Sequence, residues 1–158
     1  AGLLKSATQG ALVFSAAECY FLQAEATERG WLSGESTVDL YTKAIQASFN
    51  YVGVSTVEST EYLSQSTINL ATASNKIAKI IEQKWLALNG VDGAEAWCDE
   101  RRLGVVGAPG SLLADPNGAV RPVRLRYPAS EVNSNREQVA AQGNIVGTSP
   151  EFKVFWQK

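Results

Sequence analysis

Histidine and methionine are absent from the 158 residues, and cysteine occurs only twice. Without histidine there is no Ser-His or Cys-His catalytic pairing and no imidazole, the commonest metal ligand. Cys19 and Cys98 each lack a neighbouring cysteine, which excludes zinc knuckles and a C-x-x-C redox centre. Both sit in apolar settings, Cys19 within "AECYFLQA" and Cys98 beside Trp97. Such settings favour buried free thiols and leave a disulfide open. Glycine-rich phosphate loops are missing too, because "GVVGAPG" has neither the lysine nor the following helix that would hold a phosphate. No apolar run approaches the roughly 18 residues that span a bilayer, and the first residues lack the basic-then-apolar pattern of an export signal. Position 1 is alanine, from which the expectation is a part of a longer product whose export signal lies elsewhere.

What the chain does contain is enough apolar material, 45% of its residues, to bury the core of one domain over residues 1–158. The net charge of −2 hides a polarity: residues 1–100 carry 6 basic and 12 acidic groups, and residues 101–158 carry 8 and 4. The arginines form no run and the pI is acidic, so a nucleic-acid partner is not expected. They can instead pack onto the acidic helices before them.

Helical periodicity dominates residues 1–104. A first helix is predicted over about Ser6 to Arg29, with Ala17, Tyr20, Phe21 and Ala24 on one stripe and Gly30 as its stop. Ser36 or Thr37 can cap a second, carrying Leu40, Tyr41, Ala44, Ile45, Phe49 and Val52 and ending at Gly53. The two make a hairpin of tetratricopeptide-like length, which on its own allows a protein-interaction scaffold. Residues 54–74 are rich in Ser and Thr and read as a connection with one short helical turn near Glu61 to Leu63. Asn75 caps a third helix, with Ile77, Ile80, Ile81, Trp85 and Leu88 on its apolar side and Gly90 beyond its end. A short fourth helix runs from about Ala94 to Leu103. All five prolines lie between Gly104 and Pro150, so an irregular arm is predicted over 105–158. "DPNG" at 115–118 suggests a small β-hairpin there, and the alternation from Val123 to Tyr127 suggests an extended strand. The fold class is mostly α.

Asp99 and Glu100 invite a paired-carboxylate reading, but neighbours on a helix point about 100° apart and do not flank one bond. A solvated or salt-bridged face is expected, with no catalytic residue and no metal site. Trp85 and Trp97 are expected in the core, with Arg101 lying over Trp97 one turn on. Arg101 and Arg102 are expected to tie the fourth helix to the acidic helices through forked hydrogen bonds that lysine cannot reproduce.

Six segments occur in a distinctive order: "AECYFLQAEATERGW", "YTKAIQASFNYVGV", "IEQKWLAL", "EAWCDERRLG", "RLRYPASEVNSN" and the terminal "VFWQK". Together they resemble the C-terminal half of the SusD/RagB family. Gln83, Lys84, Trp85, Trp97, Arg101, Arg102, Tyr127, Pro128 and Trp156 carry the likeness as structural motif residues. Leu103 replaces the family's common threonine, and Phe155 stands where a second tryptophan is usual. The resemblance implies a helical, tetratricopeptide-like body in a non-catalytic lipoprotein of the outer membrane. It would display a binding site at the cell surface for a nutrient, commonly an oligosaccharide, and hand it to a TonB-dependent transporter. It implies no cofactor, and it carries over no ligand-binding residue. The lipid anchor would lie outside this chain, as would an N-terminal half covering the first two helices. An apolar patch around Leu12, Phe14 and Phe21 is expected in consequence.

Overall fold

The computed structural model describes residues 2–103, 125 and 127–142. The chain divides into two compact units, Ala1–Pro109 and Gly110–Lys158. The first contains α1 (Ala16–Glu28), α2 (Thr37–Val52), α3 (Thr56–Ser64), a 3-10 turn (Leu70–Thr72), α4 (Lys76–Leu88) and α5 (Gly93–Leu103). The second contains α6 (Ala129–Ser134) and α7 (Arg136–Ala141), which pack on one another. No strand occurs among the described residues.

A side-chain cap starts each of the first four helices. Ser15, Ser36, Ser55 and Asn75 accept the backbone N–H of Glu18, Asp39, Glu58 and Ala78 respectively, which satisfies donors that a helix start leaves orphaned. The ends of the first two are set by backbone chirality. Gly30 (φ 74°) follows α1 and Gly53 (φ 78°) follows α2, both in the left-handed region that only glycine enters without strain.

Helix α1 packs chiefly on α2 and also on α4, while α3 leans on α2 and α5 on α4. Small residues Ala24 and Ala44 are fully buried and let α1 and α2 approach. Phe21 meets Tyr41 edge to face, ring centroids 6.2 Å apart, and Leu40, Ile45, Ile68, Leu70 and Ile80 complete the core. The Tyr41 hydroxyl donates to the Ile68 carbonyl at 2.7 Å, fixing the loop after α3 onto the hairpin. Burial pushes the Tyr41 phenol pKa up, so the group remains a donor at ordinary pH.

Several expectations change. The first helix begins at Ala16 rather than Ser6, because Ser15 is its cap and Gly10 disfavours helix before it. Residues 54–74 hold a full helix and a 3-10 turn instead of a connection. Helix α3 is secured by a capping box, in which Ser55 accepts from the Glu58 N–H and the Glu58 carboxylate accepts from Ser55. The irregular arm contains α6 and α7, where helix was not expected. The suggested hairpin at 115–118 lies outside the described residues, as does most of the extended stretch before Tyr127. Phe21 is buried rather than part of an exposed patch, whereas Leu12 and Phe14 are exposed. Both cysteines are free, Cys98 on the surface and Cys19 only half-buried.

Replacing Tyr41 with Phe keeps the ring and strands the Ile68 carbonyl. It should lower stability by about 1–3 kcal/mol, read as a shift in the urea midpoint at unchanged m-value.

Candidate functional site

Two of the motif residues, Lys84 and Arg102, join a chain of ion pairs around buried Lys84, Asp99 and Glu25. Lys84 is 1% exposed, and its Nζ lies 2.8 Å from Asp99 Oδ2. The other Asp99 oxygen accepts from Arg102 Nη2, also at 2.8 Å. Arg102 then reaches back to α1 and grips Glu25 through both terminal nitrogens, at 2.6 and 2.8 Å. Glu25 Oε1 accepts in addition from Arg29 Nε at 2.8 Å. Two carboxylates and three cations thus link α1, α4 and α5, with the planar guanidinium of Arg102 bridging both acids.

Glu25 and Glu18 sit on the same helix and shift in opposite directions. Burial pushes the Glu25 carboxyl up, but hydrogen bonds from Arg102 and Arg29 outweigh it and hold the group below its ordinary 4.5. Glu18 is raised by burial first; the Lys84 charge opposes the rise, and weaker repulsion from Glu95 and Asp92 adds to it.

The helical face of α4 differs from expectation. Ile80, Ile81, Gln83, Lys84 and Leu88 are its buried residues, and Trp85 is only half-buried. The stripe is rotated so that Lys84 falls between Ile80 and Leu88, which is possible because Asp99 meets its charge. Gln83 is fixed by the Tyr62 hydroxyl, which donates to its Oε1 at 2.8 Å. Trp97 is likewise half-buried rather than core, and Arg101 lies over its ring at 4.7 Å. Tyr127 is half-buried, and Pro128 precedes α6 as its N-terminal flank. Trp156 lies outside the described residues. Glu25 and Lys84 were invisible as a pair of anchors in the sequence. The Asp99 and Arg102 spacing of three on one helix was the available signal.

This arrangement has structural rather than catalytic chemistry. Both oxygens of Asp99 are occupied by cations. Among the described residues no group of three or more His, Cys, Asp or Glu side chains is placed to hold a metal. An apolar concavity of about 260 Å³ lies where the start of α1 meets the ends of α2 and α4. Leu12, Phe14, Tyr51, Ala87 and Val91 line it.

Asp99→Ala should cost about 3–5 kcal/mol, because it leaves Lys84 charged and buried; the double variant Lys84→Met, Asp99→Leu should recover part of that loss in denaturant titrations. Trp97→Ala, at a half-buried site, should cost less than Asp99→Ala.

The pH profile supplies a second check. Glu25 binds its proton less tightly folded than unfolded, so its contribution is complete above pH 4.5 and is lost as pH falls through the lowered folded value. Glu18 has the opposite sign: its contribution is complete below pH 4.5 and is lost as pH rises through the raised folded value. Glu25→Gln should therefore flatten the acid limb of stability below pH 4.5, measured as denaturation midpoints.

Comparison with known proteins places this geometry. A SusD-like family, described as starch-binding and associating with the outer membrane, matches residues 3–128. Among solved structures, a SusD homologue from Bacteroides fragilis superposes with a TM-score of 0.69 at 28% identity, over 94% of this chain and 35% of its own. A chitin-binding SusD homologue from Flavobacterium johnsoniae gives 0.66 at 29% identity, over 92% of this chain and 36% of its own. The chain thus spans about a third of the length of these relatives. No curated protein sequence matches it. With four-fifths of its residues inside the family match and the helical body shared with solved homologues, the chain belongs to the SusD-like family.

Proposed function

We propose that this chain is part of a non-catalytic binding protein at the cell surface, which captures an oligosaccharide and delivers it to a TonB-dependent outer-membrane transporter. The observation that carries the reading is the family match to starch-binding proteins associated with the outer membrane, supported by the likeness to a chitin-binding homologue. The chemistry of the helical unit agrees with binding without turnover. Two of the three buried acids among the described residues, Glu25 and Asp99, are held by Arg and Lys rather than left free for proton transfer.

In this reading α1 to α5 form a rigid platform. Lys84, Asp99, Arg102 and Glu25 lock it. The anchor to the membrane is a lipidated residue outside this chain, since Cys19 and Cys98 are embedded in α1 and α5. The oligosaccharide and the transporter are the partners, and nucleic acid is not.

Purified full-length protein should retain maltoheptaose or chitohexaose on calorimetric titration and release no new reducing ends on prolonged incubation. Cleavage abolished by Asp99→Asn or Glu100→Gln would overturn the non-catalytic reading. Binding of peptides in the Leu12 and Phe14 concavity, with no glycan bound, would favour the tetratricopeptide-type scaffold.

A further inference from the structure

Trp31 stands apart from the other tryptophans of the described residues. Trp85 and Trp97 are half-buried on α4 and α5, whereas Trp31 is 74% exposed in the turn between α1 and α2. An exposed indole costs free energy in hydration and contributes nothing to the core. Its backbone is nevertheless tightly held. The Trp31 N–H donates to the Ala26 carbonyl at 2.9 Å, and the Gly30 N–H donates to the Thr27 carbonyl at 2.9 Å. With Gly30 at φ 74°, this is the double hydrogen bond of a Schellman close. The apolar contact that usually accompanies it would fall on Ala26, which is too small to cover an indole.

The ring is held as well as the backbone. The Arg29 guanidinium lies over it, 5.2 Å from the centroid. Arg29 is itself tied by Nε to Glu25, the buried acid that Arg102 grips from α5. The indole is therefore connected through two side chains to the ion network that locks the helices. It is a flat apolar surface held in place before any ligand arrives. Preorganisation of this kind removes the ordering cost that a free side chain meets on binding.

The surroundings indicate what such a surface suits. The turn reads "RGWLSGES", so the ring rises from small and polar residues, with only Leu32 as an exposed apolar neighbour in the turn. A protein partner normally requires a contiguous apolar patch. A single ring among hydroxyl-bearing and glycine positions fits instead a ligand about the size of one ring, with an apolar face and a polar rim. A pyranose has this character, because its axial C–H groups stack on an indole face while its hydroxyls remain in water. We infer that Trp31 is a carbohydrate-stacking subsite, positioned by Arg29 and built to take one pyranose unit of an oligosaccharide.

The inference rests on the proposed glycan-binding role, and the test separates the two. Titrations of full-length wild-type protein and of Trp31→Ala with maltoheptaose and chitohexaose should show binding at least about ten-fold weaker in the variant. Trp31→Phe should stay within about three-fold of wild type for the bound probe. Both variants should keep the wild-type far-UV spectrum, since the side chain is outside the core. The wild-type tryptophan emission should shift to the blue on saturation, and Trp31→Phe should lose that shift. Arg29→Ala should weaken binding while keeping part of the shift, and Arg29→Lys, which retains a cation over the ring, should restore affinity. Equal affinity of wild type and Trp31→Ala would overturn the subsite and leave the glycan-binding role standing. Absence of binding by wild type to both probes would overturn the role and the subsite together.

Discussion

The buried cation of Lys84 is the constraint on which the helical unit depends. An ammonium removed from water is tolerated only beside a counter-charge, and the nearest element that presents one is α5, through Asp99. That single requirement places α5 against α4. Arg102, one turn beyond Asp99, is then directed at α1, where Glu25 is already buried. Apolar packing brings helices together without choosing a register. The ion network chooses one, since a shift of one residue on any of the three helices leaves a charge unmet.

Around that lock the aliphatic core is ordinary in kind. Phe21, Tyr41, Ala44, Ile45 and Ile80 form a compact cluster between α1, α2 and α4, and α3 adds the Phe49 and Tyr62 ring contact at 5.2 Å. Lys84 and Arg102, two of the residues that carry the family likeness, are engaged in ion pairs within the helical unit.

Much of the helical body was legible. Ser36, Asn75, Gly30 and Gly53 are local signals whose physics needs no tertiary contact, and each acts as expected. Arg101 over Trp97 and Arg102 on an acidic helix were also readable, because helix spacing brings residues four apart together and because residues 1–100 are acidic. The burial of Lys84 was not, since a lysine reads as surface until the aspartate that neutralises it is known to lie on another helix. Trp85 then takes its place in the inferred stripe, one residue out of register. Helix α3 was obscured by weak Ser and Thr propensities, although its Ser55 and Glu58 form a capping signature visible in the sequence. The exposure of Trp31, which closes the segment "AECYFLQAEATERGW", was not legible, because exposure of an aromatic is a property of the folded turn and leaves no local pattern.

The separation of the lock's two halves along the chain bears on the order in which the molecule matures. Arg102 follows Glu25 by 77 residues. At synthesis rates of about 5–20 residues per second, roughly 4–15 s pass between the appearance of the acid and that of its forked partner. During that interval only Arg29, one turn away, can accompany Glu25. The hairpin of α1 and α2 can therefore nucleate on its own caps, but the face that α4 and α5 will cover stays hydrated around a carboxylate. The last helix of the unit completes the enclosure, so a nascent chain halted before residue 102 keeps that face open to chaperones.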